Sequence, residues 1–190
     1  MKIKREYLIA GGAVAIAGTA AVLLSKRRTI PKGVEAITGF EKAKYLGKWF
    51  EIARMDYFFE HGLTNATAEY SLNDDGTIKV VNRGFNVKKN KEVEATGIAK
   101  FVGDETEAKL KVSFFGPFYA GYNVIAIDPK YKYAMVAGKN MDYLWLLSRE
   151  KSMPDKIKKQ YLEQAIALGF DISKMVWTKH DKSIIEKIIG

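Results

Sequence analysis

The 190-residue chain contains no cysteine, only two histidines and only four prolines. The absence of cysteine excludes disulfides, thiolate metal sites, a cysteine nucleophile and a lipid-modified N-terminal cysteine. His61 and His180 lie far apart, and neither has a metal-ligand companion at a useful spacing, so we expect no metal site. Few prolines and scattered glycines argue against long disorder. At 47% hydrophobic residues, the chain can bury one sizeable core.

Common signatures of catalysis are also missing. The sequence has no phosphate-binding glycine loop, no nucleophile elbow and no order of residues that suggests a catalytic triad. The adjacent Asp74 and Asp75 belong to a turn rather than to an acid–base couple, because hairpin tips are solvated. We therefore expect a binding protein that needs no cofactor.

Positive charge is concentrated at the N-terminus. The net charge is +9, but residues 1–28 hold six basic residues and one acidic residue, so the remaining 162 residues carry only +4. That balance is ordinary for a soluble domain. Nucleic-acid binding usually needs a clustered basic face, so we expect no nucleic-acid partner.

The N-terminal segment has the pattern of a membrane segment or a targeting segment. Residues 8–25 carry no charge and have basic residues on both flanks; as a helix they would span about 27 Å, close to the hydrocarbon thickness of a bilayer. The terminating Lys26-Arg27-Arg28 favours an uncleaved membrane anchor within residues 1–28. The alternatives are a secretory signal cleaved after Gly18-Thr19-Ala20 and a buried soluble helix. Residues 29–39 are then a linker.

From Trp49 onward, short β-prone runs alternate with turn signals such as Asn73-Asp74-Asp75-Gly76, which is typical of an all-β barrel or sandwich. One helix should begin near Ser152–Asp155 and end at Gly169. Its apolar stripe of Ile157, Tyr161, Ala165 and Leu168 should lie on the barrel wall. The eight expected strands are about 48–55, 64–72, 77–87, 92–102, 107–115, 121–128, 133–138 and 143–148, with a ninth possible at 176–177.

Three residues predict how the barrel closes. Gly47 allows a tight entry into the first strand, and Trp49 points into the space that the strand encloses. Arg149, at the end of the eighth strand, would contribute about 0.5–2 kcal/mol by lying over the Trp49 ring. This contact would join the first strand to the last and leave no free sheet edge.

These features resemble the lipocalin family, specifically its bacterial and apolipoprotein D-like branch. Gly47-Lys48-Trp49, Ser113–Tyr119, Gly121–Ala126 and Asp142–Trp145 are similar to that branch in the same order, and the similarity runs from about residue 33 to 178. One departure is the turn at Ile127–Tyr133, where the family usually has Thr-Asp-Tyr.

The resemblance implies an all-β fold: an eight-stranded antiparallel up-and-down barrel over residues 40–178. One C-terminal α-helix packs on the barrel wall. The two termini fall outside the resemblance: the sequence itself predicts an N-terminal hydrophobic helix before the barrel, and residues 179–190 are a tail. The resemblance implies a small apolar ligand such as a fatty acid or lysophospholipid, for lipid storage, transport or membrane maintenance. The barrel would lie on the exported side of a membrane, or be secreted after signal cleavage. A lipocalin-fold isomerase or redox enzyme is the alternative, and a homodimer stays open.

Strand parity predicts which residues line the cavity. An inward Trp49 also turns Glu51 and Ala53 inward, and the family's pattern sets the parity of the other strands, turning Ala126 inward. Glu51 must be paired or protonated there, although the sequence does not name its partner. The expected ligand-lining residues are Ala53, Ala68, Tyr70, Val80, Asn82, Gly97, Val112, Phe114, Tyr122, Val124, Val136, Tyr143 and Trp145.

Alternate hairpins of an up-and-down barrel lie at the same end, so aromatic and lysine residues should share the rim of the mouth. We hypothesise that this rim rests on a membrane surface. The alternative is that its aromatic residues fold over the cavity as a lid. The rim residues are Tyr57, Phe58, Phe59, Lys88, Lys89, Phe118 and Tyr119.

Overall fold

The fold is described from a computed structural model, which covers residues 28–55 and 62–180. The expected N-terminal hydrophobic helix, the rim residues Tyr57, Phe58 and Phe59, and most of the tail lie outside these residues. Within the described ranges, no helix has both the length and the apolar character needed to cross a membrane.

The strands form one antiparallel sheet that closes on itself. From β1 (Gly47–Met55) to β8 (Leu144–Ser148), each strand pairs with the next along the chain, and β1 also pairs with β8, so the expected eight-stranded up-and-down barrel is confirmed. The expected ninth strand also forms and pairs with β1. The strands are β1 (Gly47–Met55), β2 (Leu63–Leu72), β3 (Ile78–Asn86), β4 (Lys91–Phe101), β5 (Lys109–Phe115), β6 (Phe118–Ile127), β7 (Tyr133–Ala137), β8 (Leu144–Ser148) and β9 (Met175–Trp177).

Within the residues that the structure describes, two α-helices flank the barrel. Helix α1 (Lys42–Tyr45) precedes β1 and was not predicted, because four residues are too few to show a helical period. Helix α2 (Asp155–Ala167) is the expected helix. Its predicted stripe packs against the wall, with Tyr161 and Ala165 buried and with Ile157 and Leu168 partly buried.

The strand β6 begins earlier than expected. Phe115 pairs with Phe118, so the β5–β6 hairpin is long and only Gly116 and Pro117 form its turn. The sequence signal at Gly116-Pro117 located the turn but not the strand beyond it, because a short aromatic run looks the same in a loop and in a strand.

Buried side chains form two clusters on opposite faces of the sheet. The interior cluster lies inside the barrel, and the wall cluster lies between the barrel and α2. Buried members of the interior cluster include Trp49, Tyr70, Val80, Ala99, Val124, Ala134 and Leu147. Those of the wall cluster include Val34, Ile52, Ala53, Met135, Leu146, Tyr161, Ala165 and Phe170.

Irregularities in two strands reverse the predicted parity. The β1–β8 register shifts between Glu51 and Ala53, and the β6–β7 register shifts between Val124 and Ala126. An extra residue at a β-bulge moves every later side chain to the opposite face. Ala53 and Ala126 therefore belong to the wall cluster, and the prediction that they face inward is wrong.

Register also assigns the two ends. Gly47 pairs with Tyr70, so α1, the β2–β3 turn and the β6–β7 turn lie at the closed end. The connections at 87–90, 116–117 and 138–143 lie together at the other, open end.

Candidate functional site

The floor of the barrel is built by Trp49 and Arg149. Trp49 is fully buried, and the Arg149 guanidinium carbon lies 3.9 Å from the centroid of its ring. Arg149 also donates to the backbone carbonyls of Lys44, Tyr45, Leu46, Lys48 and Tyr131. One side chain thus ties together α1, the start of β1 and the β6–β7 turn, as closure of that end requires.

Eight of the predicted lining residues belong to the interior cluster. Tyr70, Val80, Val124 and Val136 are buried there. A further four pack against the cluster while partly buried, namely Ala68, Val112, Tyr122 and Trp145.

The other predicted lining residues are not members of the interior cluster, although Gly97 pairs with Val80, which is. Gly97 is buried under the Phe114 ring, which an added Cβ would meet at 2.7 Å, and Phe114 itself is 39% exposed. Tyr143 is half-buried and stacks on Trp145 with ring centroids 6.2 Å apart. Ala53 faces the wall.

Three tyrosine hydroxyls meet inside the barrel. The Tyr122 oxygen lies 2.7 Å from the Tyr45 oxygen and 2.7 Å from the Tyr70 oxygen. Tyr45 comes from α1, Tyr70 from β2 and Tyr122 from β6, so the cluster joins opposite walls just above Trp49. Tyr45 is a functional residue that the sequence did not predict, because it lies in a short helix where strand parity does not apply.

The tyrosine cluster holds more donors than its two contacts use. Three hydroxyls bring three protons, whereas two hydrogen bonds consume two, so one O–H is left to donate elsewhere. Burial raises the pKa of Tyr45, Tyr70 and Tyr122 above the ordinary value, so all three stay protonated at neutral pH. The cluster is therefore a neutral donor of hydrogen bonds in an apolar interior.

Asn82 adds a second polar group one step above the cluster. It pairs with Ala68 on β2, whereas Val80, next on the same face, pairs with Tyr70. The Asn82 Oδ1 atom is buried and has no hydrogen-bond partner among the residues that the structure describes. A buried acceptor without a partner is costly, which makes it a fitting contact for a ligand donor or a water molecule.

Glu51 has the partner that the sequence did not name. Arg54 Nη1 donates to Glu51 Oε1 at 2.6 Å, and the two side chains are only 1% and 10% exposed. Thr178 Oγ1 donates to the same oxygen. Side chains three positions apart in a regular strand point to opposite faces, so the β-bulge after Glu51 is what brings Glu51 and Arg54 together. On β8, Leu147 lies opposite Glu51 and Trp145 lies opposite Arg54, and both of these residues pack in the interior cluster. Both charged side chains therefore face inward.

The open end carries exposed aromatic rings beside lysines. Phe115 is 83% exposed and Phe118 is 76% exposed, at the tip of the β5–β6 hairpin. The Lys111 ammonium lies 5.1 Å from the centroid of the Tyr119 ring. Lys88 and Lys89 are exposed in the neighbouring β3–β4 turn. Phe115 was not among the predicted rim residues, because parity alone does not show that it reaches beyond the barrel.

A cavity of 370 Å³ lies outside the barrel, between α2 and the wall. Ile125, Ile157, Gln160 and Tyr161 are among its lining residues, and none of the predicted ligand-lining residues contributes. Across residues 28–55 and 62–180, no group of three or more His, Cys, Asp or Glu side chains is arranged to hold a metal ion.

A closed up-and-down barrel of eight strands, with a sealed floor and a mainly apolar interior, is the architecture found in lipocalins. The lipocalin-like domain family matches residues 40–180. Outer membrane lipoprotein Blc of Escherichia coli K12 is 47% identical over 169 residues, covering 88% of this chain and 96% of that protein. Apolipoprotein D of Mus musculus is 32% identical over 148 residues, covering 73% and 76%.

Solved structures agree on the fold. Insecticyanin from the tobacco hornworm Manduca sexta superposes with a TM-score of 0.65 at 18% identity, covering 83% of this chain and 89% of that chain. The chain belongs to the lipocalin family, in its bacterial and apolipoprotein D-like branch, and the predicted resemblance is confirmed.

Proposed function

We propose that this lipocalin binds a fatty acid or lysophospholipid-like molecule inside its barrel and serves lipid storage, transport or membrane maintenance. The observation that carries the proposal is the tyrosine cluster, which offers a spare O–H donor within an apolar interior. An apolar cavity with few polar groups is the usual form of a small-molecule site. Affinity then comes from desolvation of the acyl chain, at about 0.8 kcal/mol for each buried methylene.

Polar contacts orient the ligand in this proposal. The spare tyrosine O–H donates to a ligand carboxyl, carbonyl or hydroxyl oxygen, and Asn82 Oδ1 accepts from a ligand hydroxyl. Glu51 is engaged with Arg54 and Thr178, so the side chain best suited to acid–base chemistry is already paired. Binding is therefore favoured over the lipocalin-fold enzyme.

The membrane is the second partner in the proposal. Residues 8–25 anchor the protein, and the exposed rings of Phe115, Phe118 and Tyr119 enter the lipid interface while Lys88 and Lys89 meet anionic head groups. The name of the Escherichia coli relative, an outer membrane lipoprotein, supports a place on the exported side of a membrane. This chain has no cysteine for lipid attachment, so its own apolar segment supplies the anchor.

Fatty-acid binding by two matched tyrosine variants tests the ligand site. Tyr45→Phe/Tyr70→Phe/Tyr122→Phe removes all three hydroxyls of the cluster, so no O–H is left to donate, and we expect affinity for a fatty acid to fall by about two- to tenfold. Tyr161→Phe is the control, because Tyr161 is also buried but donates to the Tyr133 carbonyl on the outer face of the wall. Equal affinities in both variants would contradict the proposed polar contact. A wild-type barrel that binds neither fatty acid nor lysophospholipid would contradict the function.

A further inference from the structure

The N-terminal segment leaves the barrel at a fixed place. Asn123 is fully buried on the outer side of β6, and its Nδ2 donates to the Thr29 carbonyl at 2.8 Å. The same nitrogen also lies within hydrogen-bond distance of the Ala137 and Gly138 carbonyls. Gly121 makes room for this crossing, because an added Cβ there would overlap the Thr29 carbonyl.

That place lies in the open-end half of the wall. Gly121 is three residues from the start of β6 at the open end, about 10 Å along the strand, and six residues from its closed end, about 20 Å. From Thr29 the chain runs toward the closed end, where Ile37 bonds to Val124 and Phe40 bonds to Thr106 before α1 begins. Residues 1–28 are therefore joined to the barrel at the open-end half of the wall, not at the floor.

We infer that this clamp makes the anchored barrel face the membrane with its open end. Four peptide steps separate Ser25, the end of the apolar run, from Thr29, and they reach about 14 Å at most. That reach covers the 10 Å to the rings at the mouth. It does not cover the 20 Å to the closed end, beyond which α1 still projects. The inference rests on the membrane anchor of the proposed function.

Charge and surface character agree with this orientation. Lys26, Arg27 and Arg28 occupy the short connection, and the open end displays Phe115 and Phe118 beside exposed lysines. A basic collar next to exposed rings suits an anionic lipid surface. A ligand leaving the mouth would then enter the bilayer directly rather than cross water.

Single-cysteine labelling tests the orientation, because the chain has no cysteine of its own. Val87→Cys marks the open end, and Asp74→Cys marks the closed end; both positions are exposed. Each full-length variant carries an environment-sensitive fluorophore and is reconstituted in phosphatidylethanolamine–phosphatidylglycerol vesicles with brominated acyl chains. We expect quenching and a blue shift at residue 87 and neither at residue 74.

The same samples separate the orientation of the barrel from the membrane anchor on which it rests. Protein that floats with the vesicles but is quenched at residue 74 as strongly as at residue 87 overturns the orientation and leaves the anchor intact. Protein that does not float overturns the anchor, and the orientation falls with it.

A second pair of variants separates the tether from the rings. In Phe115→Ser/Phe118→Ser the rings no longer hold the mouth, and we expect the contrast between residues 87 and 74 to persist. In the same Phe115→Ser/Phe118→Ser variant, adding about 12 Gly and Ser residues between Arg28 and Thr29 extends the reach by about 40 Å, and the contrast should then disappear. Loss of the contrast in Phe115→Ser/Phe118→Ser without the insertion would show that the rings set the orientation, and would overturn the role of the clamp.

Discussion

The buried Glu51–Arg54 pair should be worth far more to stability than a surface pair of the same geometry. Glu51→Leu leaves the Arg54 guanidinium, which is 1% exposed, without its carboxylate, and it also removes the acceptor for Thr178. Breaking a buried pair from one side costs about 3–5 kcal/mol. Against a total stability of about 5–15 kcal/mol for a domain, that loss is large.

Two further variants complete the test. Glu51→Leu/Arg54→Met removes both charges, and apolar replacements of a buried pair are often close to neutral, so most of the lost stability should return. Glu69→Leu is the control, because Glu69 and Arg83 lie 2.7 Å apart but both side chains are about half exposed. Solvent screens that pair, and we expect a small effect.

Urea unfolding followed by tryptophan fluorescence gives the free energies of unfolding. The expected order is wild type, Glu69→Leu and the double variant close together, with Glu51→Leu well below them. Equal losses in Glu51→Leu and Glu69→Leu would refute the argument from burial. A double variant no more stable than Glu51→Leu would show that no coupling joins the two side chains.

Three other predictions concern the floor, the tyrosine cluster and the rim. Arg149→Met, which removes the Trp49 contact and the carbonyl bonds, should lower the free energy of unfolding by about 2–3 kcal/mol. Arg149→Lys should cause a smaller loss, and a loss of zero would contradict the prediction. Burial raises the pKa of Tyr45, Tyr70 and Tyr122, so their contribution to stability should be fully present below a pH of about 10. Above that pH the free energy of unfolding should fall by about 1.4 kcal/mol per pH unit for each tyrosine. Tyr122→Phe should lessen this slope of stability against pH, and an unchanged slope would count against the cluster. In protein lacking residues 1–28, Phe115→Ser/Phe118→Ser should weaken binding to anionic vesicles at least about tenfold, while Leu72→Ser at the closed end should not; equal effects would contradict the rim hypothesis.

Much of the fold could be predicted because strand alternation and turn residues are local signals. Gly47, Trp49 and Arg149 indicated where the barrel closes, and the structure brings them together at the floor. The apolar stripe of α2 follows from helical spacing and lies against the wall.

Features that depend on register could not be predicted from the sequence. A β-bulge leaves no clear residue signature at Ile52, so Ala53 was assigned to the wrong face and Arg54 was not recognised as the partner of Glu51. Tyr45 was missed for a related reason: its place beside Tyr122 depends on how α1 crosses the floor, and four helical residues carry no pattern. Tertiary contacts, rather than local preference, determine the face of Ala53, the partner of Glu51 and the place of Tyr45.

The central claim is that the barrel holds a lipid. Native mass spectrometry of the full-length protein extracted from its own membranes, with organic extraction of what it carries, tests this most directly. We predict one fatty-acid or lysophospholipid-like molecule for each barrel. A barrel that emerges empty and then takes up neither class of lipid would contradict the account.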